Sequence, residues 1–486
     1  MAFSATEEEK IRQLLTAYEG GKRINELDAA MGSMADMQVA VVDESGETRR
    51  MNLQEAVAVA GNPIAGRYWD ETQGTPTAAG YYGSLQALKE LPAKLGLGRY
   101  LVTDDRKRRK LDAADSTRFA DGSPAKLDGS MGQCMWCWNA HYFTTWMEGN
   151  NRILAVTFQP IKGKNSLYIP AGGISWIDAG VMDRTDLKLC SVISTDERYR
   201  GGGGSVLGDN YPLAADAPQK TMLGMPATAI STTNFGTYAR KRGEGWEANW
   251  FVARAVVEYL FEIIMGTRNS QAPFNAALDA NGLRQGGFGA GVTNMPDWGG
   301  YNGYYPLLPT SVGLEMGDGV GLVDYSITNA DGVSVYQCQV PVFFGLVNAG
   351  FGHLWRWVRG LTMNAGDTSD VYVAKSMYAD FNPNSVEGML KVAECPQKEG
   401  YIKKKSYEGL CCMPTEVGGS ASTYYCDYFY QSAQSSKGLR VRAAGGHAND
   451  GADAGASGTY ANNTAANAHA YYSSPLCFFE EDPQIG

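Results

Sequence analysis

The chain has 486 residues, 19% of them charged, with a formal net charge of -10, and its pI is near 5.1 at 52.5 kDa. That length allows two or three domains with a sizeable core, and 44% apolar with 11% aromatic content marks them as globular. The acidic balance leaves no footprint for nucleic acid, and the short basic run at residues 106–110 (RKRRK) reads as a solvated connector.

The first residues, MAFSATEEEK, are acidic where an export signal needs a basic start and an apolar stretch, so no such signal is visible. Thr6 with Glu9 forms a capping box, and Ile11, Leu14, Leu15 and Tyr18 fall on one helical face before Gly20 and Gly21 stop the helix. A single apolar stripe has little of its own to pack on and is expected to meet a copy of itself. Residues 37–43 and 48–53 flank a turn at 44–46 as a β-hairpin, and Asn52 with Glu55 caps a short helix through Ala60. Residues 1–61 are therefore expected to be a small helix-hairpin-helix, α/β module for attachment and oligomerisation. Residues 62–120, with a Gly/Thr/Ala-rich loop at 74–83 and an amphipathic piece at 84–92, are expected to be a connector.

Residues 121–486 read as one large, loop-rich α+β domain. Strand candidates fall at 135–143, 152–159 and 187–194, separated by Gly, Asn and Asp turns. A strong helix is expected over 246–265 with Gly266 as its stop, and its Glu247, Arg254, Glu258 and Glu262 exclude a membrane span. A second amphipathic element, 346–361, leads into a strand near 370–373.

Residues 442–474, RAAGGHANDGADAGASGTYANNTAANAHAYYSS, contain no Val, Ile, Leu, Met, Phe or Trp and lie between YYCDYFY at 424–430 and LCFF at 476–479. With no aliphatic side chain to bury, the tract is expected to be displayed rather than packed. It also lacks Lys, Glu and Gln, whereas Asn, Asp, His, Tyr, Ser, Thr, Ala and Gly recur. Codons ending in a pyrimidine cannot encode Lys, Glu, Gln, Met or Trp, and asparagine codons altered at their two adenines reach every recurring type. That is the mark of adenine-directed mutagenesis. A low-complexity linker is the plain alternative, but a linker should not end in an apolar LCFF strand. The candidate ligand-binding residues, diversified and facing solvent, are His447, Asn449, Asp450, Asp453, Ser457, Tyr460, Asn462, Asn463, Asn467, His469, Tyr471 and Tyr472. Gly445, Gly446, Gly451 and Gly455 are candidate frame positions for tight turns.

Nothing in the sequence assembles a catalytic or metal centre, and no cofactor is expected. The nine cysteines are odd in number; Cys134 and Cys137 form a CxxC without a second pair to complete a zinc set, and Cys411 and Cys412 are adjacent. They read as structural thiols of a chain made in a reducing cytoplasm. His141, His353, His447 and His469 are scattered. Asp450 and Asp453 read as contact residues and GDG at 317–319 as a turn, while the glycines at 201–204 lack the Lys and Ser/Thr of a phosphate loop.

Three separated motifs carry a resemblance. The order INEL, VDESG and NLQEA near the N-terminus resembles the amino-terminal segments of phage tail-fibre proteins. RGEGW at 242–246, the following helix, GTRNSQ at 266–271 and NAGFGHLWRWVRGL at 348–361 look like the core of the C-type-lectin-like fold shared by formylglycine-generating enzymes and phage variable proteins. RVRAAGGHA, GADAG and SSPLCF are similar to the variable region of diversity-generating retroelement proteins, here about 424–479. The resemblance implies a C-type-lectin-like C-terminal domain in a non-enzymatic phage tail-fibre protein that binds a host-cell surface protein or glycan through a diversified surface. It further implies a homotrimer, docked through its N-terminus on a tail or baseplate protein of the virion and assembled in the host cytoplasm, with neither nucleic acid nor membrane insertion as part of its work. Two alternatives are a cellular or prophage-encoded surface adhesin of the same fold, and a formylglycine-generating-type oxidoreductase, which would need Cys477 and a second cysteine side by side in an open groove.

The neighbouring DNA is expected to hold a near-identical repeat with adenines at the variable codons, beside a reverse transcriptase. Sequencing the locus checks this, and a locus with neither leaves the composition of the tract without this cause.

Overall fold

Among the described residues strand exceeds helix by 36% to 13%, which corrects the expected α+β class to a mainly β one. The stretch read as a second amphipathic element shows the physical reason. Trp355–Ala365 is a strand of 11 residues, WRWVRGLTMNA, and all but Asn364 are buried. Its arginines alternate with tryptophan and valine, and both faces are covered, so a pattern that mixes charge with bulk does not signal a helix when the charges find buried partners.

In the computed structural model the described residues are 38–42, 48–52, 62–203, 216–295, 307–328, 334–366, 369–432 and 437–485. The chain divides into two units, Met1–Ile64 and Ala65–Gly486. In the first, Gln38–Val42 and Thr48–Asn52 pair antiparallel with Gln38 opposite Asn52, as the alternation predicts. The helices expected on either side of the hairpin lie outside the described residues.

The second unit is built from mainly antiparallel sheets around one buried helix. One sheet of five strands runs in the order Ser166–Ile169, His141–Glu148, Asn151–Thr157, Ala65–Asp70, Gly80–Gly83. A second of six strands runs Trp246–Ala248, Leu476–Phe479, Gly172–Ser175, Gln133–Trp138, Gly98–Val102, Arg108–Lys110. The largest sheet runs Leu390–Cys395, Ser369–Val373, Trp355–Ala365, Gly438–Ala444, Thr459–Tyr460, Tyr428–Tyr430, Gly400–Ser406, Met413–Val417 and curls into a nearly closed barrel.

Residues 65–120, expected to be a connector, are part of this unit. Their strands lie in the first two sheets, and Trp69, Leu88, Leu91, Leu101, Leu111 and Phe119 join the main core. The amphipathic piece at 84–92 is a helix, Leu85–Lys94, capped by the Ser84 hydroxyl on the Ala87 N–H. The basic run is tied down as well: Arg108 pairs with Glu480 at 2.7 Å, Arg109 with Asp121 at 2.7 Å, and Arg106 bonds the Phe479 carbonyl at 3.0 Å.

The expected helix is shorter than predicted. Trp246–Ala248 is a strand on the sheet edge, and the helix occupies Phe251–Met265, ending at Gly266 in the left-handed conformation (φ 65°). All 15 residues of this helix are buried, including its charged ones. Arg254, Glu258 and Glu262 recur every four residues, so they form one stripe on a helix that is otherwise apolar all round. Facing strands complete the stripe. Arg442 Nη2 lies 2.7 Å and Arg254 Nε 3.0 Å from Glu258 Oε1; Lys405 Nζ lies 3.2 Å from Glu258 Oε2 and 2.8 Å from Glu262 Oε1; the Tyr407 hydroxyl donates to Glu262 Oε2 at 2.7 Å.

The LCFF anchor behaves as predicted. Leu476–Phe479 inserts between Trp246–Ala248 and Gly172–Ser175, with all its residues buried. Each of its larger side chains contributes roughly 1.5–3 kcal/mol of apolar burial.

Burial alone would raise the Glu258 carboxyl, but Arg442, Lys405 and Arg254 outweigh it and hold that carboxyl below its ordinary value of 4.5. A carboxyl depressed on folding contributes stability that is present above the unfolded value and is lost as pH falls through the folded one. Acid titration followed by circular dichroism should therefore show stability falling below about pH 4.5, and Glu258→Gln should flatten that loss. Because the substitution leaves buried cations unpaired, it should also cost about 3–5 kcal/mol at neutral pH in denaturant unfolding.

Candidate functional site

The tract at 442–474 is threaded through the sheets rather than looped off them. Thr459–Tyr460 pairs antiparallel with Gly438–Ala444 and parallel with Tyr428–Tyr430, and Tyr472–Ser473 runs parallel to Trp355 and Arg356. Many of its small residues are core: Ala448, Ala454, Ala456, Ala461 and Ala465 are all buried, whereas Ala452, Ala466 and Ala468 are exposed. The expectation that a tract without aliphatics must be displayed therefore fails for half of it. Ala and Gly let the backbone lie against neighbouring main chain, where larger side chains would not fit.

The quoted motifs converge on that backbone. In GTRNSQ, Gln271 Nε2 donates to the carbonyls of Gly451 (3.1 Å) and Ala454, and the Ser270 hydroxyl accepts the Ala456 N–H at 3.0 Å. In NAGFGHLWRW, the Gly352 N–H donates to the Gly445 carbonyl at 2.9 Å, the His353 carbonyl accepts from Ala448 at 3.1 Å, and the Trp355 N–H donates to the Tyr471 carbonyl at 2.9 Å. From the buried stripe, Arg254 donates to the Ala456 carbonyl. Gly445, Gly446 and Gly451 sit at positive φ, as frame positions for turns should. Gly455 serves a different need: a Cβ there would come within 1.8 Å of Asp427 Oδ1.

The structure sorts the candidate residues into three groups. Ser457 and Tyr472 are buried. Ser457 Oγ accepts from Lys405 at 2.9 Å and its N–H donates to Asp427 at 2.7 Å, so it belongs to the ionic core. Tyr472 stacks on Trp357 with ring centroids 4.0 Å apart at 12°. These two are therefore packing residues, Tyr472 turned inward by its strand and Ser457 by the turn before Thr459–Tyr460. Asn462, Asn463 and Asn467 are partly exposed and hold the loop: Asn462 accepts from the Ser432 N–H (2.7 Å), Asn463 donates to the Tyr472 hydroxyl (2.6 Å), and Asn467 accepts from the Thr464 N–H (2.8 Å).

The remaining candidates lie together on the surface. Asn449 and His469 are exposed, and His447, Asp450, Asp453, Tyr460 and Tyr471 are partly so. Their rings form a ridge with tyrosines from outside the tract, bridged underneath by the buried Trp355. Tyr401 meets Tyr428 (5.2 Å), Tyr428 meets Tyr430 (4.6 Å), Tyr430 meets Tyr460 (5.6 Å), Tyr460 meets Trp355 (5.8 Å), Trp355 meets His447 (6.3 Å), His447 meets Tyr471 (5.0 Å), and Tyr471 stacks on His469 (5.2 Å, 3°). Asp453 accepts the Tyr401 hydroxyl at 2.6 Å and the Tyr430 hydroxyl at 2.9 Å; Asp450 accepts the His447 N–H at 2.7 Å and lies 2.9 Å from Nδ1 of the same residue. Burial, together with Asp453, holds the hydroxyls of Tyr401 and Tyr430 well above the ordinary tyrosine range, so both stay protonated donors.

Sequence reading missed Tyr401, Tyr428, Tyr430 and Trp355. The signal for two of them was present: in YFY, Phe429 is buried and the flanking tyrosines are partly exposed, the period-2 pattern of a strand with one wet face.

Other chemistry-bearing groups are elsewhere and occupied. Cys134 and Cys137 stand three apart on a strand and enter different hydrophobic clusters on its opposite faces. Cys477 is buried, with its sulfur 3.2 Å from the Trp250 N–H, not in an open groove. His353 is buried and accepts from the Leu308 N–H at 3.0 Å; burial pushes it down to about 3, and His141 down to about 4. Asp318 of the GDG turn accepts the Arg99 N–H at 2.7 Å. Among the described residues, no three His, Cys, Asp or Glu side chains cluster to hold a metal ion, and no helix is long and apolar enough to cross a membrane.

No family model matches the chain, and no curated protein matches it. Among solved structures, PvdO from Pseudomonas aeruginosa is similar at 12% identity with a TM-score of 0.30, over 72% of this chain and 95% of that one. The Major Tropism Determinant U1 variant is similar at 10% identity with a TM-score of 0.20, over 71% of this chain and 73% of that one. Likenesses this weak assign neither fold nor activity.

Tyr472→Ala should destabilise the protein by about 3–5 kcal/mol, the usual cost of deleting a buried aromatic ring. Tyr471→Ala, on a partly exposed ring, should cost less than about 1 kcal/mol. Denaturant melts of the two variants test the sorting, and equal losses would place both rings in the core.

Proposed function

We propose that this protein binds a host-cell surface molecule through the aromatic ridge, as the receptor-binding protein of a phage particle, and that it is not an enzyme. The ridge carries the reading. Tyr and His rings offer broad contact area at low conformational cost, and Asn449, Asp450 and Asp453 add short hydrogen-bonding groups beside them, the division of labour used by antibody loops. Their backbone is clamped from below by GTRNSQ, NAGFGHLWRW and the buried arginines, so side chains can change while the frame stays. The tract's missing Lys, Glu and Gln fit a surface rewritten at adenines. In this reading the N-terminal unit docks on the particle and joins three copies, which adds avidity of roughly 10² to 10⁴ to a modest single-site affinity.

Purified protein should compete with the particles that carry it for adsorption to their host. Tyr460→Ala and Tyr471→Ala should each weaken that competition at least ~10-fold, as truncation of an aromatic anchor does, with thermal stability near the parent's. Undiminished competition by both variants would remove the ridge from the contact. Light scattering should report a trimer at micromolar concentration, and a monomer would sink the homotrimer.

A further inference from the structure

We infer that Tyr401, Tyr428 and Tyr430, from outside the tract, frame the tract's Asp453 carboxylate as a seat for a cationic side chain, arginine above all, of a host surface protein. This rests on the receptor-binding reading and names the chemistry of the partner.

The geometry comes first. Tyr401 projects from Gly400–Ser406, and Tyr428 and Tyr430 project from the neighbouring strand paired with it; Gly400 stands opposite Phe429 and Tyr401 opposite Tyr428. All three rings are partly exposed. The Tyr401 hydroxyl occupies Asp453 Oδ1 and the Tyr430 hydroxyl occupies Oδ2. A carboxylate oxygen accepts more than one hydrogen bond, so a partly exposed Asp453 held this way keeps acceptor capacity on both oxygens in a fixed orientation. A planar guanidinium matches that fork and also lies favourably on tyrosine faces, whereas an ammonium meets the rings but not the bidentate geometry.

The charge pattern selects the sign of the partner. From Ala443 to Ser474 there is no Lys or Arg, and Asp450 and Asp453 are the only acids of that stretch. Arg442, at its start, is buried against Glu258. Glu399, one residue before the Tyr401 strand, is exposed and acts on Tyr428 along with Asp453. The nearest basic side chains of that strand, Lys403 and Lys404, both end on Glu416 at 2.6 Å. An anionic ligand, a phosphorylated or carboxylated glycan for example, would meet the carboxylates of Asp450 and Asp453 on the tract itself, which has no exposed cation to answer it. Aromatic faces with fixed carboxylates suit arginine, which is itself enriched at interface hot spots.

Fluorescent purified full-length protein, offered to an array of immobilised peptides in paired arginine and citrulline versions alongside an array of neutral glycans, tests this. Citrulline keeps the shape and removes the charge. Retention should favour the arginine peptides at least 10-fold over their citrulline partners. Asp453→Asn and Tyr428→Ala should abolish that preference with unchanged melting temperature. The net charge of the protein barely changes in Asp453→Asn, so general attraction of an acidic protein to basic peptides would survive it, and a preference that survives overturns the proposal. Equal retention of both peptide versions also overturns it. Binding to neutral glycans alone overturns the cation seat and leaves the receptor-binding reading standing, whereas failure on both arrays combined with failure to compete for host adsorption overturns both.

Discussion

The buried stripe of Arg254, Glu258 and Glu262, completed by Lys405, Arg442 and Tyr407, is the constraint on which the rest of the unit depends. Ions taken out of water are tolerated only when each finds partners in good geometry, and here those partners come from separate strands. Arg442 belongs to the strand that leads into the tract, Lys405 to the strand that carries Tyr401, and Ser457 to the tract itself. Satisfying one helix therefore sets the position of three elements beneath the ridge. A hydrophobic core of the same size would hold them together with less insistence on register, because apolar contact is not directional.

From this follows a division between frame and face. Arg254, Gln271 and Ser270 bond the tract's main chain, and main-chain groups do not change when a codon changes. The alanines at 448, 454, 456, 461 and 465 are buried against that frame, and Gly455 fits where Asp427 leaves no room for a Cβ. What reaches the surface is a subset of the tract, joined to Tyr401, Tyr428 and Tyr430 from the scaffold and backed by the buried Trp355. A surface built this way can be varied at His447, Asn449, Tyr460, His469 and Tyr471 without disturbing the ionic core below it.

Local signals were legible where one face of a strand or one cap decided the outcome. The hairpin at 38–52, the Gly266 stop and the Leu476–Phe479 strand all follow from alternation, stop residues or apolar runs. Elements with both faces buried were harder to read. Trp355–Ala365 mixes arginine with tryptophan because its arginines are paired inside the protein: Arg356 with Asp178 at 2.5 Å and Arg359 with Glu247 at 2.9 Å. Neither partner is near in sequence, so no window along the chain could reveal that those charges point inward.

For the site, the composition of residues 442–474 was enough to single out the tract, because the residue types it contains and lacks are a property of the chain alone. It could not separate Tyr471 from Tyr472, or Ser457 from Asp453. Whether a side chain faces solvent depends on which strand the backbone is bonded to: Tyr472 meets Trp357 and Ser457 meets Lys405, over separations of about a hundred and about fifty residues. The sequence by itself determined which tract has the singular composition and which elements have one wet face. Only the tertiary structure decided which of those residues are presented and which scaffold tyrosines stand beside them, because exposure is set by contacts between distant strands and not by local pattern.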